Sequence, residues 1–505
     1  MSTPGAPPTL RTGTAAGRWV LVTTVLGSGM AMLDSTVVNI ALPAVGRDFG
    51  ASFAGLQWTI NAYTLTLAGL ILLGGSLGDR FGRRRVFVVG VVWFAAASAL
   101  CGLAPSIEVL VGARALQGVG GALLTPGSLA IISASFHGRD RAAAIGAWSG
   151  LAGIAGAIGP FVGGWLVEWT WRAAFLINLP LAVVVLVVAL RHVPESRDEQ
   201  AAQHLDVPGT VVAVLGLGAL TWALTAAGTD GASGPVLGVG AVGVVALALF
   251  VVVERRSRSP LVPGDLFADV RFTAANVVTL LVYAALGVLF VLLVLQLQVV
   301  AGFSPLAAGT AMLPVTALML LLSARAGALA QRVGPRLPMT VGLTVAAGGM
   351  LLLLRVGPGA TYLTDVLPAV VVFGLGLSAT VAPLTATVLD AADDRHAGVA
   401  SGVNNAVARA ANLLSVALIP AVAGIAGADY AEPAAFSAGY HRALVIAAGL
   451  LLGGAVLSVT LLRPRAPRPA PAGTETGTEA GAGERIDVAG CSHCGVAAPQ
   501  QYPRS

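Results

Sequence analysis

The sequence contains no lysine: all 29 of its basic residues are arginine. A phosphate-binding loop of the G-x-x-x-x-G-K-[ST] kind requires that lysine, so ATP-driven work by this polypeptide is excluded. Charge of either sign is scarce, at 10% of 505 residues against about 25% in soluble domains. With 56% hydrophobic residues and a mean hydropathy of +0.84, the chain does not read as a water-soluble globule. Only three cysteines occur, Cys101 in an apolar run and Cys491 and Cys494 near the C-terminus, which leaves no disulfide framework. Cys491, His493 and Cys494 form a lone C-x-x-C pattern without a second pair, so metal binding there is a weak alternative and no metal or other cofactor is expected. Strict apolar/polar alternation is also missing, which argues against a membrane β-barrel.

Apolar runs of about twenty residues recur instead from Trp19 almost to Leu462, each long enough as a helix to cross a hydrocarbon core about 30 Å thick. They predict an all-α membrane protein with fourteen transmembrane helices, at about 19–42, 55–77, 86–104, 108–132, 142–166, 173–191, 206–227, 235–253, 272–299, 306–329, 338–356, 364–389, 398–425 and 440–462. The polar start feeds a span too long for a signal-peptide core, so no cleavage is expected. The net charge of +5 is not a nucleic-acid footprint, because the arginines cluster in short loops between apolar runs. Arg80, Arg83, Arg84, Arg85, Arg139, Arg141, Arg255 and Arg256 fall in alternate loops, and the others hold little beyond Arg47, Arg172 and Arg442. The positive-inside rule then places both termini in the cytoplasm of a multi-pass protein of the bacterial cytoplasmic membrane. The Pro-, Ala- and Gly-rich stretch 463–505 reads as a disordered cytoplasmic tail, dispensable for transport from about Arg468 onward.

The chain also repeats itself. Gly75, Leu77, Asp79, Arg80, Gly82 and Arg84 return as Gly327, Leu329, Gln331, Arg332, Gly334 and Arg336, and Gly120 and Pro126 return as Gly376 and Pro383. Both echoes keep their side of the membrane, so the halves are parallel repeats. The domain reading is a cytoplasmic N-terminus at 1–18, a six-helix bundle at 19–191, a linker with two extra helices at 192–271, and a second six-helix bundle at 272–462.

With these elements in place the sequence resembles the major facilitator superfamily, and within it the fourteen-spanner drug:proton antiporters of the EmrB/QacA type, over about residues 19 to 462. The resemblance rests on the run Leu33 to Pro43, the loop Gly75 to Arg84, Arg114 with Gln117 and Gly118, the turn Trp171 to Pro180, and Asp206 with Gly209. It implies a major facilitator fold and a proton-coupled exporter of small amphiphilic compounds such as drugs or antibiotics, energised by the proton gradient and acting as a monomer without enzymatic chemistry. An uptake symporter, or an exporter of an endogenous metabolite, is the alternative; a membrane sensor or enzyme is a third. Gly146, Gly159, Pro160, Gly163 and Gly164 match the antiporter motif of the fifth span, where a helix face without side chains permits close, movable packing; ordinary small-residue packing is the bland reading. In span thirteen the match lapses: Arg409 is followed by Asn412, Leu413 and Val416 where relatives show a glycine-rich run.

Asp34 is the carboxylate set deep inside an expected span, at a cost of roughly 2.5–3.5 kcal/mol unless paired or protonated. It lies roughly 13 Å below Pro43, and Arg114 roughly 9 Å below Glu108, so the two can meet in the same half of the membrane. Burial disfavours a carboxylate's charge and a guanidinium favours it, which suits a proton-coupling pair; a static structural pair is the alternative. By resemblance Asp79, Arg80, Gly82, Arg83 and Arg84 form a conformational latch, although topology alone accounts for most of the arginines. Asn39, Gln57, Asn61, Tyr63, Gln117, Tyr283, Asn404 and Asn405 are expected along a substrate cavity between the halves, with Asn276 and Gln296 as further polar candidates; roughly half would serve helix packing instead.

Overall fold

Short polar residues mark where many helices begin. In the computed structural model, which describes residues 10–198, 206–257, 264–391, 397–425 and 432–462, Thr14, Ser52, Ser106, Asp206 and Ser304 each accept a hydrogen bond from an N–H in the first turn of the helix that follows. The first bundle comprises α1 (Ala15–Phe49), α2 (Phe53–Phe81), α3 (Arg83–Gly102), α4 (Ile107–Ser135), α5 (Gly138–Trp169), the short α6 (Ala173–Leu176) and α7 (Asn178–His192). Two inserted helices follow, α8 (Val207–Asp230) and α9 (Gly234–Arg256). The second bundle holds α10 (Val270–Leu295), α11 (Pro305–Thr310), α12 (Leu313–Val333), α13 (Arg336–Leu352), α14 (Leu367–Asp390), α15 (Ala397–Val422) and α16 (Pro433–Leu461). Thirteen segments among the described residues are long and apolar enough to cross a bilayer, and α5 is a further helix of 32 residues.

The expected boundaries shift for identifiable reasons. Span one continues through Pro43 to Phe49, where Gly50 caps it at a φ of 59°, because counting apolar residues stops at polar groups that a helix end tolerates. Spans six and ten each arrive in two pieces, α6 with α7 and α11 with α12. Pro180 and Pro314 sit in the first turns of α7 and α12, where proline is tolerated because its missing N–H would be unpaired anyway. The expected tail at 463–505, with Cys491, His493 and Cys494, lies outside the described residues.

In the first bundle α4 packs against α2 and α3, and α1 against α4 and α5; in the second α14 packs against α12 and α13, and α10 against α15 and α16. The sequence repeat is a structural one. Gly82 and Gly334 both take positive φ, 111° and 83°. A Cβ on Gly120 would stand 2.7 Å from the backbone nitrogen of Phe94 in α3, and one on Gly376 would collide with the backbone of Ala346 in α13. Equivalent glycines thus bring equivalent helix pairs into backbone contact. Helix α8 packs along α9 and also touches α2 and α15, one from each bundle.

Among the described residues, side-chain hydrogen bonds between the bundles lie at the end of the membrane marked by Gly50. There Gln57 Nε2 donates to the Val416 carbonyl at 2.5 Å and Gln298 Nε2 to that of Ile40 at 3.1 Å.

Candidate functional site

Where α1 faces α4 at mid-membrane, the side chains are polar on both helices, and the result is a closed hydrogen-bond cluster. Asp34, at 0% exposure, receives Arg114 Nη1 on Oδ2 at 2.6 Å; Arg114 is 1% exposed. The same Nη1 donates to Gln117 Oε1 at 2.6 Å, and Arg114 Nε donates to the Thr59 carbonyl of α2 at 3.0 Å. Asp34 Oδ1 accepts from Gln117 Nε2 at 2.7 Å and from Asn178 Nδ2 at 2.9 Å. Ser98 of α3 accepts from both of these amides. The face of the guanidinium is covered by the Tyr63 ring at 4.3 Å, with Phe175 at 5.8 Å.

Helices α4 and α7 therefore supply the donors to the Asp34 carboxylate, and each has a local reason to do so. Arg114 and Gln117 are three residues apart on α4 and share a face. Asn178 begins α7, so the break between α6 and α7 is what aims its amide inward. The expected pairing of Asp34 with Arg114 is present. Gln117 belongs to this cluster and not with the cavity candidates, because α4 turns that face toward α1. Ser98 and Asn178 were not among the candidate site residues: a lone serine in an apolar helix gives no signal, whereas Asn178 was visible inside the Trp171 to Pro180 run. The rest of that run is structural, since Trp171 Nε1 and Arg172 Nη1 both donate to Asp48 Oδ2 and fasten the end of α1.

The other cavity candidates do not share one surface. Gln57 spans the bundles, Asn404 Nδ2 donates to Thr279 Oγ1 and Asn276 Oδ1 on α10, and Asn405 is exposed and bonded to its own helix. Gln296 Nε2 donates to the Val356 carbonyl and to Ser437. Asn61 is fully buried with neither amide atom partnered, and Asn39 Oδ1 is likewise unpartnered.

At the opposite end of the membrane from Gly50, Asp79 pairs with Arg83 at 2.8 Å, one helical turn on, and Arg80 lies over Phe81. Arg84 and Arg85 turn instead to Glu195, whose carboxylate accepts from both of their backbone N–H groups at 3.1 and 3.2 Å. A Cβ on Gly82 would stand 2.7 Å from that carboxylate, so glycine serves there both for its φ and for the space. Glu195 follows α7 in an apparent connector, where nothing in the local pattern ties it to residues more than a hundred positions away. The Asp79–Arg83 pair is part-exposed and adds little stability. Asp79→Asn is accordingly expected to leave the protein inserted while shifting its resting access state and slowing transport. Single-cysteine accessibility on both membrane faces, alongside turnover, checks this; no change in either removes the latch.

The residues expected to form an antiporter motif divide by what they contact. Gly159 and Gly163 meet Thr36 and Val37 of α1, whereas Gly164 abuts Leu306 of α11 with 2.6 Å from its would-be Cβ, and Pro160 meets Gly309. Gly146 has nothing within 4 Å. The helix thus meets the second bundle within about its last three turns. Gly164→Leu is expected to leave insertion intact but hold the Gly50 end open and abolish transport, read by labelling a cysteine placed at Gln298.

A family model described as Major Facilitator Superfamily matches residues 24–416. The chain belongs to that superfamily. It is therefore a multi-pass membrane transporter of small molecules, not an enzyme. Similar curated proteins include "Puromycin resistance protein pur8" of Streptomyces alboniger, 38% identical over 462 residues and covering 88% of this chain and 92% of the relative. "Multidrug resistance protein Stp" of Mycobacterium tuberculosis is 35% identical over 80% of this chain and 75% of its own. Among solved structures, a bacterial homologue of the human lysosomal transporter Spinster, inward-facing and unoccupied, superposes with a TM-score of 0.61 at 18% identity, covering 90% of this chain and 97% of that one. A peptide transporter bound to sulfate gives 0.63 at 16% identity, covering 88% and 96%. Both share the fold of this superfamily transporter.

Proposed function

We propose that this superfamily member is a proton-coupled antiporter of the bacterial cytoplasmic membrane, with both termini cytoplasmic, that exports small amphiphilic compounds of the antibiotic class as a monomer. The observation that carries the coupling is the Asp34 carboxylate, fully buried yet held by Arg114, Gln117 and Asn178. A carboxylate in that setting has two stable arrangements. Ionised, it accepts from all three donors. Protonated, it becomes a donor itself and releases the guanidinium. Asn178 Oδ1 is buried without a partner, so it supplies accepting capacity beside the carboxylate. Each arrangement positions α1, α4 and α7 differently, and α1 carries the glycine-lined contact with α5, the helix whose Gly164 abuts α11 of the second bundle. Proton occupancy is thereby tied to the packing between bundles, which is what exchange across alternating access requires.

Export is supported by the similarity to proteins named for puromycin resistance and for multidrug resistance. Expression in an efflux-deficient bacterial host tests the reading. Tolerance to a panel of amphiphilic antibiotics should rise, and an uncoupler at sub-inhibitory dose should abolish the gain. Increased sensitivity would indicate uptake and refute export.

A further inference from the structure

A cation that meets no anion at membrane depth is costly and marks an ion or substrate path. Arg409 is such a group. It sits ten residues into the spanning part of α15, about 15 Å along the helix. It makes no hydrogen bond or ion pair to any described residue, and its Nε is buried without an acceptor. The contrast with Arg114, which is saturated by Asp34, Gln117 and Thr59, is plain.

Its surroundings follow from the register of the neighbouring helices. Along α10, Thr279 meets Asn404 and Gly287 meets Asn412 and Ser415, so Tyr283 faces α15 at the level of Arg409. Along α2, Gln57 meets Val416 and Leu72 approaches Gly402, so the midpoint between those contacts puts Tyr63 and its neighbours at that same level. The first bundle supplies Tyr63 and the second supplies Tyr283 and Arg409, so the group stands in the seam between them. Tyr63 also covers the Arg114 guanidinium, which makes it a wall shared with the Asp34 cluster.

We infer that Arg409, flanked by Tyr63 and Tyr283, is the recognition point for an ionised oxygen on the transported compound, and that the preferred substrates are aromatic amphiphiles bearing a carboxylate or phenolate. A guanidinium fork binds a carboxylate with two parallel hydrogen bonds and a phenolate with one, and the half-buried Tyr283 offers its ring to the aromatic part. This deepens the exporter reading and rests on it.

The test uses the full-length protein in lipid nanodiscs and three radiolabelled probes of one shape: 1-naphthoate, neutral 1-naphthamide and the cation 1-naphthylmethylammonium. Naphthoate should bind roughly tenfold tighter than the amide, as expected for a hydrogen bond to a charged group. The cation should bind more weakly than either. Arg409→Gln should erase the preference, and an unchanged thermal unfolding profile by tryptophan fluorescence reports an intact fold. Arg409→Lys should restore part of the preference. Equal binding of naphthoate and amide by the wild type, or a preference that survives in Arg409→Gln, overturns the inference. Uncoupler-sensitive efflux measured in parallel separates the two readings. Efflux without anion preference refutes only the recognition point, and preference without uncoupler-sensitive efflux refutes only the proton-coupled exporter.

Discussion

Replacing Asp34 by Asn should abolish proton-driven efflux while the protein inserts and keeps binding its substrate. Asparagine keeps the size and can still accept from Gln117 or Arg114, but it has no proton to exchange. The cluster is then frozen in one arrangement, and the two orientations of the bundles lose their link to the proton gradient. The measurement is proton release on adding substrate to purified protein, in weak buffer with a pH indicator, across a range of pH. Wild type should release protons and Asp34→Asn should release none. If the variant releases as many as wild type, the coupling site lies elsewhere.

Replacing Arg114 by Ala should have an equally large effect by another route. Removing one member of a buried ion pair typically costs about 3–5 kcal/mol, because the other charge is left without compensation. Arg114 also fills the space beneath Tyr63 and satisfies the Thr59 carbonyl, so the cavity and the orphaned acceptor add to the loss. A carboxylate in a dry site without a counter-charge keeps its proton, so transport should fail at neutral pH and return partly at higher pH, provided the variant is produced. The double variant Asp34→Asn with Arg114→Gln separates stability from coupling. Neutral partners that can still hydrogen-bond should recover thermal stability in detergent, measured by tryptophan fluorescence, without recovering transport. A double variant less stable than Arg114→Ala would show that charge compensation is not what the pair supplies.

How much of this could be read from residues alone depends on whether the information lies along one helix or between several. Apolar length and arginine placement are one-dimensional, so the spans and the parallel repeat were legible, apart from helix ends and the breaks beside Pro180 and Pro314. Asp34 and Arg114 were legible because a charge inside an apolar run demands a partner and depth can be counted along each helix. Which way a helix is rotated cannot be counted in that fashion. Gln117 consequently looked like a cavity residue, Ser98 gave no sign, and Asn178 stood in a recognisable run without a role. Glu195 joins a loop over a hundred residues away, a contact that no local spacing encodes. Arg409 drew notice only for the residues that follow it.

The inserted helix α8 has a bearing on how the molecule can move. It lies against α2, where Val214 presses on Gly69 and Gly218 meets Leu65, and against α15, where Gly228 meets Ala421 near the Gly50 end. A rod tied to both sides of a seam cannot stay at rest while the seam opens: it must slip along one wall or lift from the other. Glycines on the contacting faces offer a smooth track for slipping. In this arrangement the flank it covers is screened from the acyl chains, so a compound dissolved in the membrane meets a different boundary there than on the flank where α5 meets α11.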